Sequence, residues 1–124
     1  MRPLTTALFA LTLAQSTAAE GTGHVPPVAE IVTFRLIDGA DPVAFVKAAN
    51  ALGPFLRSND DFVSRTLSVD ETGVWTDHIL WSSQAGATRA SQLMFDQPEA
   101  KPFLAFMKED GVNLRYAAVQ MQQE

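Results

Sequence analysis

The order of periodic segments predicts an α+β domain of split βαββαβ type, with a four-stranded antiparallel sheet and its helices on one face. Three observations carry this. Four β-rich runs are separated by two stretches of helical spacing; the middle two runs are joined by a short turn, Asp70-Glu71-Thr72-Gly73; and 124 residues at 47% hydrophobic supply one core, too few for two.

The first run, Val28 to Leu36, is β-branched and aromatic, with Val32, Phe34 and Leu36 on one face and Ile31, Thr33 and Arg35 on the other. Both faces carry apolar residues, so both need cover. Asp41 followed by Pro42 is a capping residue with proline at the first helical position. Phe45, Val46, Ala49, Leu52 and Leu56 then recur at helical spacing, with Gly53-Pro54 set to kink or restart the helix. Phe62 to Val69 returns to a period of two, with Val63, Leu67 and Val69 alternating against Ser64, Thr66 and Ser68. After the turn, Val74 to Ser82 is the antiparallel partner. Gln84 to Gln97 is helical, with Ala87 and Ala90 permitting close approach to the sheet and Pro98 as the stop. Phe103, Leu104, Phe106 and Met107 form a further helical cluster, and Gly111 separates it from a last strand, Val112 to Met121.

Outside that domain, residues 28–121, the termini read differently. Arg2, an apolar run from Leu4 to Leu13, and small residues before Glu20 match a secretory signal peptide over residues 1–19. The competing reading is a buried N-terminal helix. The run is too short to span a bilayer, so no membrane attachment is expected of the mature form, which would be periplasmic or secreted. Residues 20–27, with two glycines and two prolines, read as a linker, and residues 122–124 as a tail.

Charge and cysteine content exclude several functions. Fourteen acidic against nine basic residues, a net charge of −5, argue against nucleic acid as a partner. Without cysteine there is no disulfide, thiolate metal site or thiol nucleophile, and two histidines leave little for a protein-only metal site, so no metal is expected.

The segment richest in chemistry is the third strand. Trp75, Asp77, Ile79 and Trp81 project to one face, and Thr76, His78 and Leu80 to the other. His78, the one histidine in the predicted domain, is a candidate general base, against the plainer reading of a histidine bonded to a neighbouring strand. Trp75 and Trp81 offer an aromatic wall for a planar ligand, or core packing. Tyr116 is a second catalytic candidate. Arg65 and Arg115, with Arg35, are candidates to hold an oxyanion or phenolate, or else rim charges paired with acids. Met94 and Phe106 suit either the core or the floor of an apolar pocket.

Three segments of this chain resemble the antibiotic biosynthesis monooxygenase (ABM) domains of the dimeric α/β-barrel superfamily: IVTFRL with the helix after Asp41-Pro42, the hairpin FVSRTLSVDETGVWTDHILWSS, and FDQPEAKPFLAFM before the last strand. The resemblance implies a ferredoxin-like protomer, a two-fold homodimer whose sheets close into a barrel, and a pocket between helices and sheet. It implies either cofactor-free oxygenation of phenols and quinols or haem degradation. The haem branch uses an Asn on the first strand, a Trp on the third and a His on the helix that follows the third; Trp75 or Trp81 matches the Trp, but Val28 to Leu36 holds no Asn and Gln84 to Gln97 no His. Two functions are therefore expected in competition. One is an exported, cofactor-independent monooxygenase acting on a small aromatic or quinol compound. The other is a non-catalytic periplasmic binding domain for a small hydrophobic ligand, which export favours.

Overall fold

The computed structural model describes residues 25–124. The expected signal peptide and most of the linker lie outside the described residues. Along the chain run β1 (Val28–Phe34), α1 (Pro42–Asn50), α2 (Gly53–Arg57), β2 (Phe62–Val69), β3 (Trp75–Trp81), α3 (Gln84–Met94), α4 (Ala100–Ala105) and β4 (Asn113–Ala118). The sheet order is β2-β3-β1-β4, and each neighbouring pair is antiparallel. This is the split βαββαβ arrangement that the periodicity predicts.

Local chemistry sets the boundaries. The Asp41 carboxylate accepts from the Val43 N–H at 3.0 Å to start α1. Pro54 has no N–H to continue that helix, so the chain restarts as α2. Ser83 caps α3 by accepting from Gly86 N–H at 3.0 Å. Asp70 organises the β2–β3 turn by accepting from the Thr72 N–H and hydroxyl and from the Val74 N–H. Those bonds hold its carboxyl below the ordinary aspartate range, the Thr72 hydroxyl being the largest cause.

Two strand ends and the facing of one residue differ from the sequence expectation in ways that the pairing explains. β1 stops at Phe34 because the chain leaves β3 there and pairs with the segment after α4: Ile37 N–H donates to Phe106 O, and Lys108 N–H to Arg35 O, both at 2.8 Å. β4 ends at Ala118, since Val119 N–H reaches Pro27 O and the partner strand begins one residue on. A bulge between Phe62 and Ser64 leaves Val63 without a partner and half exposed, so Phe62, not Val63, joins Leu67 and Val69 on the helix-facing side.

Two apolar clusters fill the space between sheet and helices. In one, Phe45 stacks on Phe103 with ring centroids 5.4 Å apart and meets Phe34 and Trp75 edge-on. In the other, Trp81 packs with Val28, Leu56 and Ile79 beneath Ala87 and Ala90, whose small side chains let α3 lie close to the sheet. No helix among the described residues is long and apolar enough to cross a membrane.

Register and alternation together fix what faces the helices. Val28, Glu30, Val32 and Phe34 of β1 stand opposite Trp81, Ile79, Asp77 and Trp75 of β3 on that side. The opposite, open side carries a row running across all four strands: Thr66, His78, Ile31 and Arg115.

Candidate functional site

On the helix-facing side two carboxylates are buried, Asp77 at 5% and Glu30 at 7% exposure, and they are satisfied in different ways. Asp77 has a cation. Arg65 Nε and Nη2 meet its two oxygens at 2.9 and 2.7 Å in a bidentate pair. The same guanidinium donates from Nη1 to the Ala49 carbonyl at 2.8 Å and lies over the Phe103 ring, 5.5 Å from its centroid. All of its contacts are structural, joining edge strand β2 to β3 and to the last turn of α1.

Glu30 has no such partner. Its Oε1 accepts from Trp81 Nε1 at 2.8 Å and its Oε2 from Ser91 Oγ at 3.3 Å. The Ser91 hydroxyl is in turn 2.9 Å from the Tyr116 hydroxyl. Each hydroxyl has one proton, so with Glu30 ionised the donors run in one direction, from Tyr116 to Ser91 to the carboxylate. With Glu30 protonated, the same three groups can reverse. Burial pushes the Glu30 carboxyl above its ordinary range and the nearby Asp77 charge adds to that, opposed by the bonds from Trp81 and Ser91 and by Arg65.

Beside this carboxyl lies a narrow cleft lined by Phe55, Leu56, Ile79, Trp81, Ala90, Ser91 and Met94. Its empty space, about 220 Å³, opens partly to solvent, and the centre of a water molecule can occupy about 20 Å³ of it. The geometry is that of an apolar slot with one proton-accepting corner. As it stands, the cleft has room for about one water molecule beside Glu30, with Trp81, Ile79 and Met94 among its apolar walls. Among the described residues no three His, Asp or Glu side chains gather as a metal site.

The residues singled out in the sequence divide between three places. Trp81, Tyr116 and Met94 are at the cleft or in its polar network. Trp75 and Phe106 belong to the other cluster, both edge-on to Phe45, and Arg65 is engaged by Asp77. His78 and Arg115 are exposed on the open side of the sheet. The two catalytic candidates, His78 and Tyr116, do not meet within this chain: strand alternation puts them on opposite faces, with the sheet between. Arg115 is excluded from the cleft for the same reason, being next in sequence to Tyr116.

Two members of the network went unnoticed in the sequence. Glu30 carried a signal, as the one charged residue in the alternating set Val28, Glu30, Val32, Phe34. Ser91 stands four residues after Ala87 and three before Met94, on the same helix face.

No sequence-family profile and no curated protein matches the chain. Solved structures do. A variant of SnoaB, a cofactor-independent oxygenase from Streptomyces nogalater, superposes with a TM-score of 0.62 at 15% identity, covering 79% of this chain and 97% of that one. A Caulobacter crescentus CB15 protein described as a candidate antibiotic biosynthesis monooxygenase gives 0.64 at 13% identity, over 79% and 93%. Rv0793 from Mycobacterium tuberculosis gives 0.60 at 17% identity, over 79% and 99%. At such identities the likeness is one of fold, and it agrees with the strand order and helix placement: the chain shares the ferredoxin-like α+β fold of these structures.

Proposed function

We propose that this chain is an ABM-like, cofactor-independent monooxygenase acting on a small aromatic or quinol compound. One observation carries the reading: a buried proton-accepting network of Glu30, Ser91 and Tyr116 stands among apolar walls, at a cleft that would have to widen from the size of one water molecule to admit such a compound. Oxygenation without a cofactor asks for little else. The substrate must lose a proton to become electron-rich enough to reduce oxygen, and the site must keep water away from the intermediate. An aromatic methylene plus O₂ gives a ketone plus water, and a hydroquinone plus O₂ gives a hydroxyquinone plus water. In both cases the substrate supplies all four electrons, so no external reductant is needed. The fold shared with SnoaB, itself a cofactor-independent oxygenase, supports the same reading.

The open sheet face, with Ile31 in its central row, is proposed to pack against a second copy by the common two-fold arrangement. Residues 1–19 are proposed as a signal for export; intact-mass measurement on protein from an exporting host checks this, and a chain retaining Met1 to Ala19 sinks it. Function is tested by oxygen uptake with purified protein and a panel of hydroquinones and anthrones. Uptake above the spontaneous rate is expected; uptake equal to it for every compound refutes the oxygenase. In that event a small hydrophobic molecule retained in native mass spectrometry would identify the binding domain instead.

A further inference from the structure

We propose that the groove at the Trp75 end of the sheet binds a small organic carboxylate, whose charge meets Arg35 and Lys108 and whose apolar body lies along the groove. The site is separate from the Glu30 cleft and does not depend on the oxygenase reading.

Room is the first difference between the two places. The groove opens to solvent between the β1–α1 loop and the β2–β3 turn, and the centre of a water molecule can range over about 510 Å³ of it, against about 20 Å³ beside Glu30. That space is in the range of small-molecule sites, roughly 300–1,000 Å³. Trp75 and Pro42 line it with Ile37 and Val69, which are 45% and 49% exposed. Their apolar surface stands in water, and the body of a ligand would cover it.

Pairing brings the two cations together from distant parts of the chain. Leu36 and Met107 form an antiparallel bridge, flanked by bonds from Lys108 N–H to Arg35 O and from Ile37 N–H to Phe106 O, so Lys108 stands beside Arg35. The Arg35 guanidinium is fixed before any ligand arrives: Nη1 donates to the Thr72 carbonyl at 2.6 Å, within the turn that Asp70 organises. Gly73 makes room for it. Its φ of +90° lies in the left-handed region, and a Cβ there would stand 3.2 Å from Nη1. Nε and Nη2 make no bond among the described residues, which leaves the donor edge that a carboxylate engages through two parallel bonds. Two acids are near. Asp38 approaches Lys108 at 3.7 Å with its side chain 97% exposed, a solvent-screened contact that a ligand can displace. Asp70 feels the Arg35 charge, but its bonds run to Thr72 and Val74 inside the turn. The lining therefore sets two cations against Asp38 alone, which suits a monoanion. A neutral ligand would leave the guanidinium edge unused, and an inorganic anion would leave the apolar surface bare.

Naphthoate is the probe, with its neutral isostere naphthamide and inorganic phosphate as comparisons, each titrated into the full isotope-labelled chain and followed by two-dimensional NMR. Naphthoate is expected to saturate, to shift the amides of Ile37, Asp38 and Gly73 while leaving those of Glu30 and Ser91 in place, and to bind about tenfold or more tightly than either comparison compound. Arg35→Gln should weaken it by about 10- to 100-fold, the loss of a charge-assisted pair of bonds, and Lys108→Gln by about threefold. Asp38→Asn should tighten it by freeing Lys108, a gain that a purely structural role for these side chains would not give. If Arg35→Gln does not fold, Lys108→Gln and Asp38→Asn decide by the same titration. Equal binding of naphthamide, shifts centred on Glu30 and Ser91, affinity unchanged in the Arg35 and Lys108 variants, or no saturation by about 10 mM overturns the inference. Phosphate binding as tightly as naphthoate overturns it too, by reducing the groove to a general anion contact.

Discussion

Removing one partner of the Arg65–Asp77 pair should be among the most damaging single changes available in this fold. The two side chains are 13% and 7% exposed and share two hydrogen bonds, at 2.9 and 2.7 Å. Asp77→Ala would leave the guanidinium inside the protein with the Ala49 carbonyl and the Phe103 ring as its remaining partners. Breaking a buried pair in this way costs about 3–5 kcal/mol, because the surviving charge stays desolvated. Against a total stability of about 5–15 kcal/mol that is a large fraction, and it should lower the melting midpoint by at least ~12 °C for a domain of this size. Equilibrium unfolding in guanidinium, read by the two core tryptophans, measures it. The double replacement Arg65→Met with Asp77→Leu supplies the control: no charge is left stranded, so the double variant should be far more stable than Asp77→Ala alone. A loss below about 1 kcal/mol for Asp77→Ala, the size expected of a solvent-screened surface pair, would refute the reasoning.

Other expectations follow from particular contacts. A Cβ at Gly86 would overlap the Asp61 side chain, which accepts from the Ser82 hydroxyl at 2.6 Å, so Gly86→Ala should destabilise by about 1–3 kcal/mol in chemical denaturation despite its better helix propensity; a stabilised variant would contradict this. Because the folded-state pKa of Glu30 is raised, the native state binds more protons than the unfolded chain from about the ordinary value of 4.5 upwards, and stability falls as pH rises through that window. Glu30→Gln should therefore be more stable than wild type at neutral pH, with the gap closing below about pH 4.5; urea titrations at both pH values check it, and a gap that widens in acid would be inconsistent. His78→Asp should weaken self-association in sedimentation by placing like charges in the proposed two-fold interface, since the side chain is on the open side of the sheet. An unaltered dimer would sink that placement of the interface.

How much of this was legible in the sequence depended on whether a feature is set by short-range periodicity or by pairing. The elements, the Asp41 cap and the restart at Gly53-Pro54 are local, and they stand where the spacing puts them. The strand ends are not local: β1 loses Arg35 and Leu36 to the segment after α4, and the bulge at Val63 exchanges one apolar residue for another on the inner face. The site was half legible. Alternation along β3 already separated His78 from Trp75 and Trp81, yet which of its faces meets the helices depends on the register with β1 and β2. That register also explains why the two tryptophans do not form one wall: Trp75 stands opposite Phe34 and Trp81 opposite Val28, at opposite ends of β1 and in separate clusters.

Glu30 is the sharper case, because the sequence marked it and the chemistry that follows needs its surroundings. A single acid in an inward-facing apolar set is either an edge charge or a buried one. The cross-strand register decides between them by placing Glu30 opposite Ile79 on one side and Tyr116 on the other, in the middle of the sheet. Once there, it is retained by donors from β3 and α3, and the phenol of β4 is linked through Ser91. Asp77, one strand away and equally buried, shows what a structural acid looks like in this same interior: it has its own bidentate arginine. Glu30 has neutral donors only, and burial holds its carboxyl above the ordinary range. That difference between two buried carboxylates on one sheet face separates the end of the interior whose acid has no cation from the end where an ion pair holds the fold together.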